Sequence, residues 1–289
     1  MYKKGLFALF IVSCTFSLSV FGQDQWSLGG FDSPVSATQY GGQIYLSNSG
    51  KNFGLPVADG DGYISRVRSD GSQQDPTRFI TGLNNPRGIE AIQGTLYVCD
   101  IDRLIGFDLR TQRKIFEISF EKENTSQLTA IANLNDRTVY VSATDINTIF
   151  EVDLSTGNYQ KWVETVAPTG LLINNGQMYV CSMGTDSLTN GKLGAIEMRT
   201  KRYTQLTDDE GIFYGLALNG KRLYYSDWVQ FARRGVIKWV DIDTKATGQL
   251  RLSTRIGGPA DFLFDARNDL FIIPAVLEGV VHGCMGFTR

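Results

Sequence analysis

Six short segments of the chain share one pattern, in which polar and apolar positions flank a central aromatic residue. Runs of this length, rich in Tyr, Val, Ile and Leu and bounded by turn residues, predict β-strands. The central residues lie 39 to 52 positions apart, and they are Tyr45, Tyr97, Tyr140, Tyr179, Tyr224 and Phe271. A strand pattern that repeats about every 40–50 residues is typical of β-propeller blades. The pattern therefore predicts a six-bladed propeller.

The residues around each aromatic segment predict a blade of four antiparallel strands. In three units the preceding strand opens with a proline, at Pro86, Pro168 and Pro259. Turns rich in Asn and Gly join the strands, and no segment has the 3.6-residue apolar period of a long helix. The last unit contains only three strands, which would leave an unpaired edge. We predict that residues 25–28 supply the fourth strand and close the ring, so that residues 23–289 form one all-β domain.

Residues 1–22 are interpreted as a secretory signal peptide, outside the fold. A basic start is followed by an apolar run too short to span a bilayer, and Val20-Phe21-Gly22 fits cleavage before Gln23. The alternative is lipid attachment at Cys14, although the apolar run continues past that cysteine. We expect the protein to be secreted or periplasmic.

Composition excludes several classes of partner. The formal net charge is −2, and losing the basic signal peptide makes the chain more acidic, so we expect no nucleic-acid partner. We also expect no transmembrane segment and a monomer. Three cysteines follow the signal peptide, and their apolar strand settings predict buried packing residues rather than a disulfide or a nucleophile. Those cysteines are Cys99, Cys181 and Cys284.

The binding site is predicted on one face of the propeller. Inner strands begin, and second strands end, on the same face, where their loops converge on the axis. These positions collect carboxylates, a cation, hydroxyls and aromatic rings. The predicted ligand-binding residues are Arg87, Asp100, Thr129, Asp145, Thr169, Tyr214, Asp227, Trp228 and Asp261. The alternative for each aspartate is a turn-capping role at its strand end.

Catalytic motifs are sparse. His282 is the only histidine, and its apolar strand indicates a structural role rather than a general base. Asp59-Gly60-Asp61-Gly62 lacks the later ligands of a calcium loop and is interpreted as a glycine-rich turn.

Several motifs resemble the senescence-marker-protein/gluconolactonase superfamily of six-bladed propellers, in its secreted bacterial branch. The resemblance covers essentially the whole mature chain, and its most specific stretches are residues 60–65, 94–102, 168–172, 226–229 and 259–262. It implies a divalent cation such as calcium on the axis, held by Glu, Asn and Asp, which polarises a lactone carbonyl.

The family's ligand positions are mostly replaced in this sequence. They carry Val35 or Ser36, Thr169 and Tyr214, and only Asp261 remains as a metal ligand, one place along in its motif. We therefore expect a propeller that binds a small polar ligand or a protein partner at its axial mouth, without the family's metal-dependent lactonase chemistry. The alternative is a lactonase-type hydrolase with an altered or metal-free centre.

Overall fold

The structure, a computed structural model, is a ring of six antiparallel four-stranded sheets. It describes residues 24–54, 56–72, 78–185, 189–230, 232–252 and 256–285. The predicted all-β six-bladed propeller is thus confirmed. The proposed signal peptide and Cys14 lie outside the described residues. Within these ranges no helix is long and apolar enough to cross a membrane.

Each blade takes four strands, numbered here along the chain. The first strand, β1 (Asp24–Gly29), belongs to the last blade. Blades 1 to 3 contain β2 (Pro34–Tyr40), β3 (Gln43–Asn48), β4 (Gly62–Arg68) and β5 (Ile80–Leu83); β6 (Pro86–Ile92), β7 (Thr95–Asp100), β8 (Arg103–Asp108) and β9 (Lys114–Ser119); and β10 (Leu128–Asn135), β11 (Thr138–Ala143), β12 (Thr148–Asp153) and β13 (Tyr159–Glu164). In each of these blades the first strand is innermost.

Blades 4 and 5 repeat this order, and blade 6 departs from it. Blade 4 contains β14 (Pro168–Asn174), β15 (Gln177–Ser182), β16 (Leu193–Glu197) and β17 (Tyr203–Gln205). Blade 5 contains β18 (Phe213–Asn219), β19 (Arg222–Asp227), β20 (Val236–Asp241) and β21 (Thr247–Gln249). Blade 6 contains β22 (Leu263–Asp265), β23 (Leu270–Ala275) and β24 (Val280–Met285), with β1 outside β24. The described helices are two 3₁₀ turns, Glu121–Glu123 and Thr144–Ile146.

The ring is closed by the N-terminal strand, as predicted. Strand β1 pairs antiparallel with β24, placing Trp26 opposite Gly283. The indole of Trp26 lies against Gly283 and Gly71, where a side chain on either glycine would collide with it. Ser27 bonds His282 across the same pair of strands, with 2.8 Å between Ser27 Oγ and His282 Nδ1. Closure satisfies the outer edge of β24, which would otherwise be free to pair with other chains.

Neighbouring blades pack face to face, so strand residues are buried on both sides. One interface joins Ile64 and Leu83 of blade 1 to Ile89, Leu96 and Val98 of blade 2. All five are at most 3% exposed. This double burial explains why the strands contain apolar runs rather than strict alternation.

Two glycines allow the inner strands to approach closely. A β-carbon on Gly88 would collide with the backbone of Thr129 in the next blade, and one on Gly215 with the backbone of Asp261. Only glycine fits such positions, because its backbone carries no side chain.

In blades 1 and 5, a serine of the second strand joins the inner strand to the following blade. Ser47 Oγ accepts the amide of Ser36 and donates to the carbonyl oxygen of Arg87, at 3.0 and 2.5 Å. Ser226 Oγ accepts the amide of Gly215 at 2.8 Å and donates to the carbonyl oxygen of Ala260 at 3.0 Å. Each buried hydroxyl thereby satisfies two backbone groups of the packed inner ring.

Candidate functional site

An open cavity of about 550 Å³ lies along the propeller axis, walled mainly by the second halves of the inner strands. Its polar wall residues are Thr38, Gln39, Glu90, Asn133, Asn174 and Asp261. Apolar side chains from the same strands, including Leu171, Leu216 and Phe264, complete the wall. This volume is in the range of small-molecule sites, which combine apolar walls with a few placed polar groups.

Two carboxyl groups, Glu90 and Asp261, dominate the electrostatics of the cavity. Burial raises the pKa of Glu90 to about 7, and the negative charge of Asp261 acts in the same direction. Burial also raises the pKa of Asp261 to about 6, against the opposing effect of hydrogen bonds from Ser36 and the amide of Leu216. Ser36 Oγ lies 2.6 Å from Asp261 Oδ2. Both carboxyls therefore change their protonation state near neutral pH, as binding and catalytic carboxyls often do.

The predicted mouth lies at the opposite end of the inner strands. There the strand starts and second-strand ends do adjoin, since Pro86 pairs with Asp100 and Phe213 with Asp227. The centre of this end is occupied by a packed cluster, which we call the apolar plug. It consists of Val35, Ile212, Tyr214, Trp228, Ala260 and Val276, with Phe53, Met183 and Leu277 partly buried against them.

Three of the predicted residues meet in or beside the plug. The ring of Trp228 stacks between Phe53 and Tyr214, with centroid distances of 5.8 and 5.9 Å. Arg87 Nη1 donates to Tyr214 Oη at 3.2 Å. The structure thus brings Arg87, Tyr214 and Trp228 together, in a packed apolar setting rather than the open polar one that the sequence predicted.

Two other aspartates of the predicted set hold loops in place. Asp100 is fully buried, accepts the amides of Asn84 and Asn85, and pairs with Arg103 at 2.8 Å. Asp145 accepts the hydroxyl of Thr125 at 2.6 Å and the amide of Ser126 at 2.7 Å. These contacts correspond to the turn-capping alternative.

Asp227, Thr129 and Thr169 of the predicted set also make structural contacts, to backbone groups, a hydroxyl or a lysine. Asp227 accepts the amide of Val229 and pairs with Lys238 at 3.0 Å. Thr129 Oγ1 lies 2.6 Å from Thr144 Oγ1, and Thr169 donates to the carbonyl oxygen of Phe213 at 2.7 Å. Of the nine predicted residues, Asp261 is the one on the wall of the axial cavity.

The surroundings of Asp261 do not fit the metal centre that the family resemblance implies. Ser36 and the amide of Leu216 donate to its carboxylate. In the described part of the chain, His, Cys, Asp and Glu side chains form no group of three that could hold a metal ion. Val35 and Tyr214, at two family ligand positions, belong to the apolar plug. A divalent cation needs several oxygen ligands, and this donor set is too small.

Glu90 is the main site residue that the sequence interpretation missed. It lies in the middle of β6, within Pro86–Ile92. A carboxylate in the middle of an inner strand has no place in a blade interface, because burying an unpaired charge is costly. That departure from the apolar pattern was the available signal. The polar residues Thr38, Gln39, Asn133 and Asn174 occupy the same second halves of their strands.

The cysteines and the histidine lie away from the cavity wall. All three cysteines are buried, and burial raises the pKa of Cys181 to about 12. A thiol that holds its proton so strongly packs as an apolar group. His282 is 6% exposed and bonds the closing strand in blade 6. These placements fit the structural roles expected of them.

Comparison with known proteins supports the fold alone. No family model matches the chain, and no curated protein sequence matches it. Among solved structures, the chain is similar to a catalytically inactive variant of virginiamycin B lyase from Staphylococcus aureus with quinupristin, at 13% identity and a TM-score of 0.58, covering 90% of this chain and 98% of that chain.

Two further structures have similar scores. One is Kuenenia stuttgartiensis hydrazine synthase, at 13% identity and a TM-score of 0.60, covering 85% of this chain and 74% of that chain. The other is from the nidogen/laminin complex, at 13% identity and a TM-score of 0.57, covering 87% of this chain and 92% of that chain. The chain is thus a six-bladed β-propeller, a fold consistent with binding a ligand or a protein.

Proposed function

We propose that this protein is an exported propeller that binds a small polar ligand in its axial cavity, without metal-dependent lactonase chemistry. The observation that carries the proposal is the placement of Glu90 and Asp261 on the wall of a cavity of about 550 Å³. Carboxylates accept hydrogen bonds only, so the preferred ligand offers O–H or N–H donors, as a polyol or an amine does.

The titration of the two carboxyls makes ligand binding depend on pH. With pKa values of about 7 for Glu90 and about 6 for Asp261, both groups are ionised above about pH 8 and mostly protonated below about pH 5. A donor-bearing ligand binds the ionised pair more tightly. Affinity should therefore fall by about tenfold or more between about pH 8 and about pH 5.

The test is a thermal-unfolding screen of polyols, free sugars and small amines at about pH 8. A ligand that binds the folded state raises its melting temperature. The proposal expects at least one compound to stabilise the wild type, with the effect reduced at about pH 5 and in Glu90→Gln. If every stabilising compound acts equally on Glu90→Gln and on the wild type, the cavity is not the binding site.

The second candidate function is a lactonase-type hydrolase. The sequence resemblance to the gluconolactonase superfamily and the axial position of Asp261 favour it. It predicts turnover of a lactone panel that is lost in Asp261→Ala. Absence of turnover in the wild type would eliminate this candidate and leave the binding function.

Export is proposed from the basic and apolar pattern of residues 1–22. Expression in a bacterial host followed by mass measurement of the mature protein tests it. Cleavage before Gln23 is expected. A mature chain that begins with a lipid-modified Cys14 would support the anchored alternative, and a retained leader would contradict both.

A further inference from the structure

Arg87 is a buried arginine at the plug end of the propeller axis. It is 6% exposed. Its Nε donates to Asn85 Oδ1 and its Nη1 to Tyr214 Oη, both at 3.2 Å. The guanidinium carbon lies 5.7 Å from the ring centroid of Phe53. All of these partners are neutral, so they satisfy hydrogen bonds without balancing the charge.

No carboxylate pairs with Arg87 in the part of the chain that the structure describes. The acidic residue nearest in register, Asp100, lies opposite Pro86 and is already paired with Arg103. Asp261, on the same axis, accepts hydrogen bonds from Ser36 and the amide of Leu216. Buried charges are normally paired, because an uncompensated one destabilises the fold.

The free edge of the guanidinium suits a carboxylate. Within the described residues, Nη2 makes no hydrogen bond and Nη1 makes one, so the fork between them keeps unused N–H groups. Two parallel N–H groups match the two oxygens of a carboxylate. The hydroxyl of Tyr214 accepts its hydrogen bond from Arg87, which leaves the phenolic proton to donate.

The walls around this edge indicate an apolar ligand body. Phe53 stacks on Trp228 with a centroid distance of 5.8 Å, and Met183 and Leu277 pack against the same cluster. Phe53, whose ring lies beside the guanidinium, is only partly buried, as are Met183 and Leu277 of the same cluster, and entry of a small molecule requires these side chains to move.

We propose that Arg87 anchors a second binding site, at the plug end of the axis, for a small organic acid with an apolar body. The acid's carboxylate supplies the counter-charge that the described chain lacks. The residues of this site are distinct from those that wall the axial cavity, whose two carboxyls select ligands of the opposite character.

Thermal unfolding with sodium benzoate tests the proposal on the wild-type protein. Measurements use a Tris–chloride buffer at about pH 7.5, with sodium chloride at equal ionic strength and with benzamide, the neutral analogue, as references. Benzoate at about tenfold excess over its Kd should raise the melting temperature by about 3 °C. Benzamide should leave it unchanged. No shift with benzoate up to about 100 mM would overturn the proposal, and so would equal shifts with benzamide.

Variants then assign the response to the guanidinium. Arg87→Met removes the charge while keeping a long side chain, and it should lose the benzoate shift. Arg87→Lys keeps a charge without the fork, and its shift should be less than half that of the wild type; it also serves if the methionine variant does not fold. A full response in either variant would contradict the role of Arg87.

Two further measurements separate the Arg87 site from binding elsewhere on the protein. Glu90→Gln should retain the full benzoate shift, because the cavity is not involved; loss of the shift there would place benzoate in the axial cavity and refute the Arg87 site. A shift with potassium phosphate but not with benzoate would refute the assignment to an organic carboxylate.

Discussion

Replacing Glu90 with glutamine should make the protein more stable at about pH 8 and leave its stability almost unchanged at about pH 5. Gln has the shape of protonated Glu but cannot ionise. In the wild type, Glu90 faces a cavity where burial and the charge of Asp261 raise its pKa from an ordinary value of 4.5 to about 7. The variant removes the cost of ionising that group in the folded state.

The magnitude and sign follow from linkage between protonation and folding. A tenfold change in the acid dissociation constant is worth about 1.4 kcal/mol, so the rise of the Glu90 pKa to about 7 is worth about 3 kcal/mol. Because the folded pKa exceeds the unfolded one, the folded state binds more protons between pH 4.5 and pH 7. Wild-type stability should therefore fall as pH rises through this window, and the loss is complete above about pH 7.

Urea denaturation of both proteins at about pH 5 and about pH 8 measures the effect. The free energy of unfolding of Glu90→Gln should exceed that of the wild type by about 3 kcal/mol at the higher pH and by less than about 1 kcal/mol at the lower. Glu121→Gln, at an exposed position of a 3₁₀ turn, controls for the substitution itself and should change stability by less than about 0.5 kcal/mol at either pH. A Glu90→Gln difference that does not vary with pH would refute the argument.

Substitutions at three further positions test contacts that build the ring. Ser226→Ala leaves two buried backbone groups unsatisfied and should lower the free energy of unfolding in urea by about 2–3 kcal/mol. Ser226→Cys should lower it by less, since blades 2 and 4 have cysteine at the equivalent position. Equal losses in the two variants would contradict the bridging role. Trp26→Ala uncovers the pairing of β1 with β24 and should cost about 2 kcal/mol and promote self-association on size-exclusion chromatography; an unchanged elution profile and stability would show that closure does not depend on this ring. Arg103→Met leaves the buried carboxylate of Asp100 without its ion-pair partner and should lower the free energy of unfolding by about 2–4 kcal/mol at about pH 7, measured by thermal or urea unfolding. An unchanged stability would mean that the amides of Asn84 and Asn85 hold that carboxylate unaided.

The fold could be predicted from the sequence because each blade repeats a local pattern. The aromatic residue at the centre of a second strand is buried where two blades pack, as at Tyr45, Tyr140 and Tyr224. The edge left by three strands in the last blade required a partner, and the segment around Trp26 was the unassigned strand. Repetition and edge pairing are properties of the whole ring, and both leave a signal in sequence.

The candidate site was less predictable, because its position depends on packing along the axis. Position within a strand indicated which end of the ring each residue faces, but not whether that end is open. The stacking of Phe53 on Trp228 depends on where residues 49–54 lie, and no periodicity encodes that placement. Glu90 was visible as a charged residue in the middle of an inner strand, yet its proximity to Asp261 requires the three-dimensional structure.

The most direct test of the central claim is a crystal structure of the protein grown at about pH 8 with the strongest stabilising polyol or amine. Binding in the axial cavity predicts ligand density with donors within hydrogen-bonding distance of both Glu90 and Asp261. Density confined to the plug end or to the outer faces of the blades, with the cavity filled only by solvent, would contradict it.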